Sequence, residues 1–285
     1  MKSSTLLSVS SFLDHLAINT RLAHEILTKF IRTEVRRTGL NRVVIGLSGG
    51  IDSALVAHLA VDALDANNVL AVRMPYRTSS QDSLDHAQRV IDGLGIQSET
   101  FDITPMVNSL ISQLGEVNAR RAGNIMARQR MVVLYDRSVE FNALVIGTSN
   151  KTETLLGYST QFGDSAAALQ PIGDLYKNQV RQLARYAGVP QPVIDKAPSA
   201  DLWDGQTDEG ELGYRYDEVD QLLYLLVDHR YNLDEAIEAG FESAFVDRVW
   251  QTVQRTSYKR HMPVVAKLSQ RTIGIDFLHM RDWGT

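Results

Sequence analysis

Residues 42–47 (RVVIGL), followed by Ser48-Gly49-Gly50 and then by the apolar run 53–64, constrain this chain more than any other stretch. A β-branched apolar run reads as a strand covered on both faces, the serine and glycines as a tight turn, and the run after them as a helix. The pattern recurs. Residues 69–73 (VLAVR) read as strand, 81–94 as helix, 98–101 as a short strand, 117–141 as a long helix and 143–147 (ALVIG) as another strand. Strands that alternate with helices imply parallel pairing with crossover connections, and these are right-handed almost without exception. The expectation is an α/β fold, a Rossmann-like open parallel sheet flanked by helices. An N-terminal helix over 11–38 should precede it, with Leu13, Leu16, Leu22, Ile26, Phe30 and Ile31 near the helical period. That stripe serves packing or a subunit interface. Helical additions are expected at 216–228, 233–239 and 244–255. Residues 148–165 and the acidic 201–213 read as long polar loops, which in compact domains are more often lids or binding loops than idle connections. One domain over 1–285 is expected: a helical segment 1–40, a nucleotide-binding core 41–200, and an acidic loop with C-terminal helices over 201–285.

Composition narrows the chemistry. The 285 residues include no cysteine, which removes disulfides, Cys-ligated zinc, iron–sulfur clusters and any thiol nucleophile. A formal net charge of −5 lacks the basic excess expected of a chain whose main ligand is nucleic acid, so a small-molecule substrate is expected. No apolar stretch approaches the roughly 20 residues needed to span a bilayer, and residues 1–20 do not resemble a signal peptide. A cytoplasmic enzyme with neither membrane nor nucleic-acid partner is the expectation.

In open α/β sheets ligands sit beyond the carboxyl ends of strands, where the strand order reverses. Gly46, Leu47, Ser48, Gly49, Gly50, Ile51, Asp52 and Ser53 occupy such a place. Glycines let backbone N–H groups close on a phosphate, and a following helix N-terminus adds partial positive charge. The Ser48 and Ser53 hydroxyls are placed to donate to phosphate oxygens, and Asp52 needs a bridging cation, for which Mg²⁺ is the usual choice. Three other readings stand beside nucleotide binding. A Walker A loop would end in Gly-Lys-Ser/Thr, and that lysine is absent. A serine-hydrolase nucleophile elbow is satisfied by Gly46-Leu47-Ser48-Gly49-Gly50, with His229 and His261 as unsupported partners. The turn can also be merely structural.

The string Ser48-Gly49-Gly50-Ile51-Asp52-Ser53 resembles the pyrophosphate loop of the N-type ATP pyrophosphatases, which cleave ATP between the α- and β-phosphates. Within that superfamily, several further strings resemble the NAD synthetases. They are Asn124 with 127–131 (ARQRM), 147–153 (GTSNKTE), 157–160 (GYST), 162–164 (FGD), 171–177 (PIGDLYK), 196–203 (KAPSADLW), 205–209 (GQTDE) and 258–260 (YKR). They cover about residues 20–277 in unbroken order. The resemblance implies an adenine nucleotide alpha hydrolase-like fold, and a ligase that amidates deamido-NAD with ammonia at the expense of ATP. Carried over by position, Gly46–Ser53, Arg73, Thr148, Lys177 and Ser199 would bind ATP, and Asp52 and Glu153 would hold Mg²⁺. Asn124, Arg128, Gln161, Ala168 and Lys259 would meet deamido-NAD, and Asp52, Glu153 and Lys177 would carry the chemistry. The resemblance further implies a homodimer. Two positions depart from the pattern: Gln161 stands where many ammonia-dependent members have lysine, and Ala168 where they have aspartate. Without a cysteine nucleophile the nitrogen must come as free ammonia or from a separate glutaminase.

Overall fold

The computed structural model describes residues 15–199, 201–203 and 206–276. The first part of the expected N-terminal helix, Ala200 and Gly205 of the quoted strings, and part of the acidic loop lie outside them. Helix α1 spans Thr20–Arg37. It begins at Thr20 because the Asn19 side chain accepts from Leu22 N and ends the turn there, so the expected single helix from residue 11 does not run through 17–19. The expected stripe also divides: Leu16 and Ile31 are fully buried, whereas Leu22, Ile26 and Phe30 face outward.

The sheet contains β1 (Val43–Gly46), β2 (Val69–Arg73), β3 (Gln97–Thr100) and β4 (Leu144–Ile146), all parallel, in the order β3-β2-β1-β4. The order reverses between β1 and β4, whose register pairs Val43 with Leu144 and Ile45 with Ile146. Connections from these two strands leave in opposite directions and open a crevice at their carboxyl ends. Side chains alternate across the sheet, and β1 shows it: Val43 and Ile45 enter one core and Val44 the other, all fully buried.

The first core packs α1, α2 (Ile51–Leu64), α3 (Gln81–Leu94) and, later in the chain, α7 (Lys177–Ala187) and α8 (Gln191–Asp195) on one face. The second packs α4 (Thr104–Leu114) and α5 (Ala119–Glu140) on the other. Helix α2 is apolar nearly all round because α1, α7 and the sheet enclose it. A third core joins α6 (Lys151–Leu156) to α10 (Tyr216–Leu223), α11 (Leu233–Glu238) and α12 (Ser243–Arg255), with Leu16 reaching into it. Both expected long loops contain a short helix. Asn150 and Glu153 form a reciprocal capping box that starts α6, and Thr207 caps α9 (Asp208–Leu212). The helix expected over 216–228 changes to a π turn over Tyr224–Asp228.

Candidate active site

The turn after β1 leads into α2, whose N-cap is Gly50 and whose first-turn N–H groups meet no capping side chain. They are left for an anion. Gly49 has φ +80°, and a Cβ there would lie 2.1 Å from the Ser83 carbonyl oxygen at the start of α3, so only glycine fits between loop and helix. The two serine hydroxyls are spent on the turn itself. Ser48 Oγ and Ser53 Oγ lie 3.1 Å apart, Gly50 N donates to Ser48 Oγ, and Ser53 Oγ donates to the Gly50 carbonyl. They shape the loop before they can serve a phosphate. Ser48 has no histidine among these partners, which removes the hydrolase reading.

Across the crevice, the segment after β4 brings Asn150 and Glu153 opposite Asp52. Asn150 Nδ2 donates to Asp52 Oδ1 at 2.9 Å. The Lys177 ammonium, only 2% exposed, donates to Asp52 Oδ2 at 2.6 Å and to Glu153 Oε1 at 3.1 Å. Burial pushes the Glu153 carboxyl up, against the opposing pull of Lys177. Two nearly buried carboxylates converging on one cation, with room for phosphate beside them, suit Mg²⁺, which commonly takes one or two carboxylates and completes its shell with substrate phosphate and water. Asp208 stands behind them. Burial raises its carboxyl, opposed by Lys177 and by the Tyr158 and Tyr216 hydroxyls, which donate to its two oxygens at 3.1 Å each.

Three cavities meet here. The first, largely apolar, lies over the ends of β1, β2 and β4 and is lined by Gly46, Leu47, Arg73, Leu134 and Thr148. Arg73 Nη1 donates to Gln88 Oε1, while its Nε is buried without a described acceptor. The second holds Asp52, Glu153, Lys177, Lys196 and Ser199. Ser199 Oγ donates to the Gln206 carbonyl and accepts from Asp201 N, so it pins the acidic loop over this cavity. The third, about 400 Å³, is lined by Asn124, Arg128, Gln161, Trp203 and Lys259. Asp164 lines all three.

In the third cavity Thr160 Oγ1 donates to Asn124 Oδ1, and Arg128 Nη2 donates to the Gln161 carbonyl. Lys259 Nζ donates to the carbonyls of Gly157 and Ser159 at 2.7 and 2.6 Å, tying the C-terminal segment to the polar loop. Ala168 stands apart. It is exposed, its N–H donates to the Val145 carbonyl, and it lines none of the three cavities. Residues that the sequence reading left without a role also belong here. Asn150 is legible as a cap but not as an Asp52 ligand, Lys196 donates to Ser83 Oγ at 2.6 Å, and Asp201, Asp208 and Arg130 enter the walls. Their strings are recognisable in the sequence, but their directions depend on the fold.

The family model "NAD synthase" matches residues 23–263. The chain belongs to the NAD synthase family. It is 55% identical over 262 residues to the NH(3)-dependent NAD(+) synthetase of Chlorobaculum tepidum, covering 92% of this chain and 95% of that one. Among solved structures it is similar to an NMN synthetase from Francisella tularensis, with TM-score 0.77 and 33% identity, covering 88% of this chain and all of that one. The NH3-dependent NAD synthetase from Campylobacter jejuni gives TM-score 0.76 and 34% identity, with the same coverage. Both the crevice at the strand-order reversal and the Asp52–Lys177–Glu153 arrangement are therefore features of a member of the NAD synthase family.

Proposed function

We propose that the chain catalyses ATP-dependent amidation of deamido-NAD by ammonia, through an adenylylated carboxylate. The observation that carries this is the junction of an apolar cavity, a carboxylate–lysine cluster and a second substrate-sized cavity at Asp164. The adenosine takes the apolar cavity, the β- and γ-phosphates lie over the α2 N-terminus and Lys177, and the acyl substrate takes the third cavity. Family membership and the 55% identity favour the dinucleotide acyl substrate over the mononucleotide suggested by the name of the Francisella relative.

A carboxylate is a poor electrophile, and ammonia does not displace oxide from it. In the first step a carboxylate oxygen attacks the α-phosphorus, the bond from that phosphorus to the bridging oxygen breaks, and pyrophosphate leaves with the electron pair. Lys177, Lys196 and the loop N–H groups hold the charge that develops on the leaving group. Asp52 and Glu153 would hold Mg²⁺, which when bound would supply Lewis-acid charge neutralisation at the phosphates. In the second step ammonia attacks the acyl carbon, the bond from that carbon to the AMP oxygen breaks, AMP leaves with the electron pair, and the nitrogen loses a proton to solvent. Asp164 is placed to take the proton as ammonium becomes ammonia. The chain works as a cytoplasmic homodimer with free ammonia as its nitrogen source.

The test uses deamido-NAD labelled with ¹⁸O in its carboxylate. With ATP, Mg²⁺ and ammonium the expected products are NAD, pyrophosphate and AMP carrying one ¹⁸O, and glutamine in place of ammonium gives none. ADP as product, unlabelled AMP, or turnover on glutamine overturns the mechanism.

A further inference from the structure

Two arginines lie close together on α5, and both line the third cavity. Arg128 is exposed and meets the polar loop. Arg130 turns inward and is half-buried. Its Nε donates to the Met74 carbonyl at 3.1 Å, just beyond β2, which anchors the guanidinium plane. Neither terminal nitrogen makes an ion pair or hydrogen bond with a described residue. The charges that Arg130 faces are those of Asp201 and Asp164.

Its position is distinctive. Ala127, Arg130 and Asp164 line both the apolar nucleotide cavity and the acyl-substrate cavity, and Arg130 is the cation among them. Lys177 and Lys196 belong to the neighbouring cavity that receives the outer phosphates. The seam between the two substrate cavities is where a carboxylate must approach an α-phosphate. Both are anions, so their approach is repulsive unless a cation stands between them. A guanidinium with its rear nitrogen fixed and its terminal N–H groups unengaged presents a preorganised fork, suited to bridging one oxygen of each group.

We propose that Arg130 is a catalytic residue of the adenylylation step, contacting the acyl carboxylate and the α-phosphate together and holding the charge of the phosphorus transition state. The step rests on the mechanism proposed above. One carboxylate oxygen forms the new bond to phosphorus as the bond to the pyrophosphate oxygen breaks. Arg130 transfers no proton; it orients the nucleophile and neutralises the equatorial oxygens.

The experiment is deamido-NAD-dependent exchange of labelled pyrophosphate into ATP, which reads adenylylation without ammonia, alongside steady-state kinetics and thermal melting. For Arg130→Gln, exchange and kcat should fall on the order of 10²–10³-fold, with KM for ATP within about threefold of the parent. Arg130→Lys keeps charge without the fork and should lose about tenfold in kcat. Guanidinium ion added at millimolar concentration should restore part of the exchange lost by Arg130→Gly. Exchange by Arg130→Gln within about threefold of the parent overturns the assignment. So does a loss seen only in KM and melting temperature, which marks a merely structural anchor on Met74. If the glutamine variant does not fold, an unchanged kcat in Arg130→Lys refutes the proposal. A parent chain that shows no exchange overturns the adenylylation mechanism itself, and the assignment with it.

Discussion

Lys177 joins two carboxylates from opposite sides of the crevice. Its ammonium is the shared partner of two carboxylates whose side chains are each 17% exposed. Removing one partner of such a buried cluster costs about 3–5 kcal/mol when the remaining charges stay unpaired, less here because some solvent reaches the carboxylates and because Glu153 can take a proton. The variant Lys177→Met should therefore melt well below the parent in metal-free buffer. Mg²⁺ should then raise its melting point more than it raises the parent's, because the cation replaces the lost charge between Asp52 and Glu153. Equal shifts in both proteins, measured by calorimetry, would remove these carboxylates as the metal's ligands. Asp52, Glu153 and Lys177 were legible in the sequence because each sits in a string whose order resembles the family's. Lys196 and Arg130 lie in equally recognisable strings, yet nothing in a string says which way a side chain points. That needs Ser83 beneath Lys196 and Met74 behind Arg130, partners 113 and 56 positions away.

At the level of elements, the site depends on three helix starts being held together. Asp220 of α10 is fully buried and joins two of them. Its Oδ1 accepts from Thr152 Oγ1 on α6, and its Oδ2 accepts from Asn178 N and Nδ2 on α7. Thr152 Oγ1 in turn accepts from Lys177 N, so the chain of bonds ends at the lysine between the Asp52 and Glu153 carboxylates. Burial pushes the Asp220 carboxyl up from 3.8 to about 6, against the pull of Thr152 and Asn178. A carboxyl with a raised folded value binds its proton more tightly in the native state. Its contribution to stability is thus complete below pH 3.8 and declines as pH rises towards about 6. Two pH units correspond to roughly 3 kcal/mol at most. Asp220→Asn should lack this slope: its melting temperature, compared with the parent's from pH 4 to 6, should gain on the parent as pH rises. Parallel profiles would place the proton elsewhere. The elements themselves differed in legibility. β1, β2 and β4 are apolar runs and declare themselves, while the exposed edge strand Gln97–Thr100 is recognisable only from its place in the alternation. Helices α6 and α9 read as loop in the sequence because five or six residues carry no periodicity. Their caps at Asn150 and Thr207 were the available signal.

For the whole molecule, the alternation of strands and helices predicts the parallel sheet, and the observed reversal of strand order next to β1 puts the glycine turn at the mouth of the crevice. What covers the outside was not legible, because an apolar helical stripe has the same pattern whether it meets its own core or another chain. Among the described residues, two helices carry exposed rows of three large apolar side chains. On α1 these are Leu22, Ile26 and Phe30, and on α5 Val132, Tyr135 and Val139, the last 81% exposed. Both rows contain β-branched or aromatic residues, which give up helix propensity and regain it only through contact, but the most exposed of them, Val139, lies on α5. Two valines and a tyrosine on one face of α5 are therefore the stronger mark of a covered surface, and a twofold dimer would bury that row against itself. Sedimentation equilibrium of the purified chain should give about twice 31.8 kDa. Val139→Glu should shift the mass towards the monomer by setting like charges across the axis, whereas Ile26→Glu should leave the dimer intact. The opposite pair of results would move the interface to α1, and a parent that sediments as a monomer would leave both rows as ordinary surface.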